Sequence, residues 1–177
     1  MTAIKIIAAA AAIFNVLAWA DARAAVPPKA DVASFSELPL PLPYPYDPQG
    51  DADAKAVDAK VERARSEALR EHKLLLIDMG GNWCADCRIL AGTMDLPSLK
   101  RFVDTHYVEV TVDSGRHMDQ NLQVPARYGV PKLAGVPSLF IVDPRSGRLL
   151  DAGHTPALAD ARHMTPQGLA DWLAQWP

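Results

Sequence analysis

Cys84 and Cys87 are the only cysteines in the chain, and only Ala85 and Asp86 separate them. They follow the apolar run Leu74-Leu75-Leu76-Ile77 and the turn-like Gly80-Gly81-Asn82-Trp83. Such a run reads as a buried strand, and the residues after it read as the start of a helix. Cys84 is then expected at the helix N-terminus and Cys87 one turn further in. Free backbone N–H groups and the positive end of the helix dipole converge there and favour a thiolate over a thiol. A thiolate attacks disulfides, and a second thiol three residues on can resolve the mixed disulfide within the same chain. This assigns Cys84 as nucleophile and Cys87 as resolving thiol. A structural staple is the competing reading, but a staple gains most by closing a long loop, and this one would close almost nothing. A metal site is a further reading, since C-x-x-C also occurs in metal sites.

The rest of the chain has to place those sulfurs. Its 177 residues, 49% hydrophobic and 22% charged, are enough for one globular domain with a sizeable core. A formal net charge of −3 gives no reason to expect nucleic acid or an anionic membrane surface as a partner. Residues 1–24 read as an export signal. Lys5 precedes the apolar run Ile6 to Ala20, and Ala20-Asp21-Ala22 and Ala22-Arg23-Ala24 suit signal peptidase. That run is shorter than the roughly 20 residues a membrane span needs. A periplasmic location is the resulting expectation.

Residues 25–50 form a proline-rich leader, with five prolines between Leu38 and Pro48. It favours extended polyproline geometry, and Leu40, Leu42, Tyr44 and Tyr46 alternate with the prolines, so it is expected to lie along the domain surface. The domain proper is placed at residues 51–177. A helix is predicted from Asp51 or Asp53 to about His72, with Val57, Val61, Ala64 and Ala68 at helical spacing. A strand over Leu74–Met79 and the Cys-bearing helix follow. After a break at Asp95 to Pro97 comes a short helix carrying Leu99, Phe102 and Val103. Tyr107–Asp113 and Ser138–Val142 read as strands, and Arg148–Ala152 as the returning strand of a hairpin. Thr165 and Pro166 suit the start of a last helix, with Leu169, Trp172, Leu173 and Trp176 as its apolar stripe. The order indicates an α/β sandwich around a mixed sheet.

With Trp83-Cys84-Ala85-Asp86-Cys87, Asp78 six residues before Cys84, Tyr128-Gly129-Val130, and Gly135-Val136-Pro137-Ser138, the chain resembles the thioredoxin superfamily. It is most similar to the exported branch related to the soluble domain of transmembrane thiol reductases. The resemblance covers roughly residues 55–176. It implies a thioredoxin-like α/β fold, with a mixed central sheet of about four to five strands and helices on both faces. It implies a buried Asp78 beneath the pair, suited by desolvation to take the Cys87 proton. It also implies a cis Pro137 facing the cysteines and shaping, with Val136 and the overlying Trp83, a groove for an extended peptide. The partners so implied are protein thiols and disulfides, with a membrane thiol reductase as candidate electron donor. No cofactor beyond a redox-active Cys84–Cys87 disulfide is expected, and the chain is expected to act as a monomer.

The sequence also departs from the family pattern. Gly80 stands where a bulky aromatic is usual, Gly92 where a helix-kinking proline is common, and Glu109 near the place of a lysine. Asp86 lies next to Cys87 and within two residues of Cys84, and it is expected to point to water. Its charge opposes the helix dipole, destabilises the Cys84 thiolate and so favours reduction over oxidation. The five histidines are scattered, and their spacing fits no metal-ligand pattern. A thioredoxin-fold binding or chaperone module, its cysteines tuning affinity without turnover, is the alternative to an enzyme.

Overall fold

Residues 24–177 are described by a computed structural model; but for Ala24, the predicted export signal lies outside the described residues. The apolar run becomes the central strand β1 (Leu74–Gly80), buried from Leu75 onward. β2 (Tyr107–Asp113) pairs with β1 in parallel and β3 (Ser138–Val142) pairs with it antiparallel, giving the order β2-β1-β3. The sheet is mixed, but it has three strands among the described residues rather than four to five. The predicted return strand at 148–152 makes only an isolated bridge between Val142 and Leu149. Leu150 N–H donates to the Ile141 carbonyl at 2.7 Å, but Ile141 N–H donates at 2.9 Å to the Asp151 carboxylate. A side chain takes the place of the next backbone acceptor, and the ladder stops there.

Alternation along β1 sends its side chains to two cores. Leu75, Ile77 and Met79 join Val110, Val112, Phe140 and Val142 beneath α1 (Ala54–Glu71), which contributes Val57, Val61, Ala64 and Ala68. Leu76, Leu139 and Ile141 face α2 (Ala85–Met94) and α3 (Pro97–His106) on the other side. After the short α4 (Gln123–Ala126), α5 (Pro166–Leu173) adds Leu169, Trp172 and Leu173 to that second core. Each such side chain, fully buried, contributes about 1.5–3 kcal/mol relative to exposure.

The helix ends follow local chemistry. Asp53 caps α1 by accepting from Lys55 N–H, and Thr165 caps α5 by accepting from Gly168 N–H ahead of Pro166. α3 starts at Pro97 after Leu96, which offers no side-chain cap. Its cap comes from the leader: Asp31 accepts from the Ser98 N–H at 2.8 Å and from the Ser98 hydroxyl at 2.7 Å.

The proline-rich segment crosses α2 and the end of the sheet. Leu40 and Tyr44 face solvent, whereas Leu38 and Tyr46 are buried and Tyr46 belongs to the first core. Prolines lack an N–H, so the segment is held mainly through its carbonyls. Arg88 donates to the Leu42 and Pro43 carbonyls at 2.9 and 3.2 Å, and its guanidinium lies 3.9 Å from the centre of the Tyr44 ring. The Thr111 hydroxyl donates to the Pro45 carbonyl at 3.0 Å.

Candidate active site

β1 ends at Gly80, and the chain turns through Gly81, Asn82 and Trp83 into α2. Cys84 is the N-cap of that helix, and its sulfur accepts from Cys87 N–H at 3.1 Å. One of the helix's otherwise free N–H groups therefore points at the sulfur, the arrangement that favours a thiolate there. Cys84 and Cys87 are joined as a disulfide in this structure. Cys84 is the more accessible, at 7% exposed against 0% for Cys87.

The Cys84 sulfur also lies 3.5 Å from the Val136 carbonyl oxygen, and the Val136–Pro137 peptide is cis. A segment more than 50 residues away is thus brought against the N-terminal sulfur. Pro137 itself is buried, and β3 starts at the next residue. Trp83 is the exposed aromatic of the site, its indole lying over Gly81 so closely that a β-carbon there would collide with it.

Asp78 sits on β1 and is 1% exposed. Its Oδ2 accepts from the Tyr46 hydroxyl at 2.9 Å, while Oδ1 is buried with no hydrogen-bond partner. Burial pushes its carboxyl up to about 8, and the Glu109 carboxylate on β2 adds to the effect. Glu109, which falls near the lysine of the family pattern, thus carries the opposite charge and opposes ionisation of Asp78.

Asp86 corrects an expectation. It does not point to water: it is 6% exposed and held by Arg162. Arg162 donates to Asp86 Oδ1 from its backbone N–H at 2.9 Å and from Nε at 2.9 Å, and its Nη2 donates to Oδ2. These bonds hold the Asp86 carboxyl below the usual range. Its negative charge beside the sulfurs is therefore balanced by a guanidinium, and its effect on the Cys84 thiolate is smaller than a bare carboxylate would have.

The site thus brings together Asp78, Trp83, Cys84, Asp86, Cys87, Val136 and Pro137. It also contains residues the sequence reading did not assign: Tyr46, Asn82, Arg88 and Arg162. The available signal for Tyr46 was Gly80. A β-carbon built on Gly80 would collide with the Tyr46 hydroxyl and come within 2.8 Å of the Cys87 sulfur. At Gly92 a β-carbon would come within 2.9 Å of the Leu42 side chain. Both glycine departures lie where the proline-rich segment meets the domain. Among the described residues there is no group of three or more His, Cys, Asp or Glu side chains placed to hold a metal ion.

A family model described as thioredoxin-like matches residues 56–144. A thioredoxin from Alicyclobacillus acidocaldarius subsp. acidocaldarius is 28% identical over 75 residues, which is 42% of this chain and 63% of that protein. The match therefore spans less than two thirds of that relative's length. The crystal structure of a disulphide isomerase from Xylella fastidiosa Temecula1 superposes with a TM-score of 0.65 at 32% identity, covering 75% of this chain and 96% of that one.

Proposed function

The chain belongs to the thioredoxin-like family, and from that premise we propose that it is an exported thiol–disulfide oxidoreductase acting on protein disulfides, mainly in the reducing direction. The observation that carries this reading is the placement of Cys84: N-cap of α2, in reach of Cys87, and against the residue that precedes the cis proline.

In the reduced protein the Cys84 thiolate attacks a substrate disulfide, forming a mixed disulfide and releasing one substrate thiolate. Asp78 then accepts the Cys87 proton, and a carboxyl raised to about 8 is matched to that task near neutral pH. The Cys87 thiolate attacks the Cys84 sulfur, releases the second substrate thiolate and leaves the Cys84–Cys87 disulfide. Two electrons have passed to the substrate, and an external dithiol, with a membrane thiol reductase as candidate, returns them. Val136 and Pro137 line the groove for the extended substrate, and Trp83 covers it. The reducing direction rests on Asp86, whose influence Arg162 moderates, and on the Ala85-Asp86 pair, which lacks the histidine typical between the cysteines of related oxidants and isomerases. Export and a periplasmic location rest on residues 1–24 alone. Action as a monomer is part of the same proposal.

Insulin reduction with a small dithiol as electron source tests the reading. The wild type should accelerate precipitation of the insulin chains and Cys84→Ser should not; equal rates for the two would refute it. Disulfide isomerisation is a second reading, favoured by the likeness to the Xylella protein solved as a disulphide isomerase. It starts from the same reduced Cys84, and recovery of activity from scrambled ribonuclease without added oxidant measures it.

A further inference from the structure

We infer that Tyr46, carried into the site by the proline-rich segment, is a positioning residue for the resolving step: its hydroxyl fixes the Asp78 carboxyl, leaving one oxygen bound and the other free to take the Cys87 proton. The inference deepens the exchange reading and rests on it. Tyr46 Oη donates to Asp78 Oδ2 at 2.9 Å, and Oδ1 is the buried oxygen without a partner. The hydroxyl and the Cys87 sulfur both crowd the space above Gly80 that a β-carbon would fill. That space exists because residue 80 is glycine rather than an aromatic, so the phenol arrives from the segment in place of a β1 side chain.

The segment is locked to the active-site turn itself. Tyr46 N–H donates to Asn82 Oδ1 at 3.1 Å, and Asn82 Nδ2 donates to the Tyr46 carbonyl at 2.8 Å. Asn82 lies two residues before Cys84, so the phenol and the sulfurs are positioned by the same turn. Arg88 and Thr111 hold the residues just before Tyr46.

The charged surroundings make the phenol matter. Glu109 on β2, paired with Leu76 two residues along β1, opposes ionisation of Asp78, and Glu109 and Asp113, also on β2, act on Tyr46. On α2, Asp86 is engaged by Arg162, and on β3 the residues paired with this end of β1, Ser138 and Leu139, carry no charge. Burial and these carboxylates hold the Tyr46 phenol well above its ordinary value, so it remains a donor throughout the working range. A donor to a carboxylate favours its ionised form. Without it, Asp78 would be ionised in a smaller fraction of molecules near neutral pH, and less of the acceptor form would be present to take the Cys87 proton.

The test separates the two chemical steps. Reduced protein is mixed with excess aryl disulfide whose released thiolate absorbs visible light. Attack by Cys84 releases the first aryl thiolate and leaves a mixed disulfide on Cys84. Attack by Cys87 on the Cys84 sulfur releases the second and closes the disulfide. Tyr46→Phe keeps the ring and removes the donor. The first release should be unchanged. The second should slow up to about tenfold near neutral pH, because losing a hydrogen bond to a charged group raises the Asp78 midpoint by about one unit. The two proteins should converge above that midpoint. In the oxidised protein, carbon NMR of the Asp78 carboxyl should show the same upward shift. Arg88→Met, which loosens the segment and leaves Tyr46 in place, should slow the second release in the same pH-dependent way by a smaller factor. If Tyr46→Phe leaves both releases and the Asp78 midpoint unchanged, or slows the second release equally at every pH, the positioning role is overturned while the exchange reading stands. A wild type without a second release would overturn the exchange reading, and this role with it.

Discussion

Replacing Asp78 by Asn should stabilise the oxidised protein at alkaline pH and have little effect in acid. The carboxyl is raised from an ordinary 3.8 to about 8, so the folded state binds its proton more tightly than the unfolded chain does. Wild-type stability must then fall as pH rises from the unfolded value towards the folded one, and level off above it. At about 1.4 kcal/mol per unit, the cost of Asp78 is about 2 kcal/mol near pH 5 and about 6 kcal/mol near pH 9. Asn keeps the shape and can still accept from Tyr46, but its amide group replaces the unpartnered Oδ1 with an unpartnered donor, at about 1–3 kcal/mol independent of pH. The variant should therefore be roughly as stable as the wild type near pH 5, and more stable by about 3–5 kcal/mol near pH 9. Urea unfolding followed by tryptophan fluorescence reads this directly, and with the disulfide closed neither cysteine titrates in the window. Stability curves for the two proteins that run parallel from pH 5 to pH 9 would refute the argument, because they would mean that Asp78 binds its proton equally in the folded and unfolded states.

Two further predictions concern the sulfurs and the glycine that makes room beside them. Arg162→Gln leaves the Asp86 charge unbalanced and should raise the Cys84 pKa by up to about one unit, making the dithiol up to about 30 mV more reducing. Asp86→Asn, which leaves the cation unpaired, should shift both in the opposite direction; iodoacetamide alkylation against pH and equilibration with glutathione measure them. Gly80→Ala should cost about 1–3 kcal/mol by pressing on the Tyr46 hydroxyl and the Cys87 sulfur, whereas Gly92→Ala presses on the tip of the Leu42 side chain, meets Pro43 and Leu38 at ordinary contact distance and should be close to neutral. Thermal unfolding of the two variants side by side decides it.

Much of the fold was legible because its signals are local. The apolar run at Leu74–Ile77, the helical spacing from Val57 to Ala68, and the Thr165-Pro166 start each lie within a few residues of the element they specify. The Cys84–Cys87 relation was legible for the same reason, since donor and acceptor share one helical turn. The return strand at 148–152 misled because its composition suits a strand, while the outcome depended on one side chain, Asp151, reaching Ile141 N–H before a backbone carbonyl did.

The electrostatics of the site obey a different rule. Chain spacing showed Asp86 beside the cysteines, and a bare carboxylate there would point towards reduction. It could not show Arg162, 76 residues away, which closes on that carboxylate through three donors. Asp78 is similar: its burial was what the thioredoxin resemblance implied, but its partner Tyr46 comes from 32 residues upstream, in a segment whose composition suggests a passive leader. In both cases the local residue fixes where a charge sits, and a distant one fixes how much of that charge the sulfurs experience. The two glycines are the trace such a partner leaves on the domain's own sequence. A family position that has lost its side chain, next to reactive groups, implies that something else occupies the space, and here the occupant is the segment that supplies the phenol.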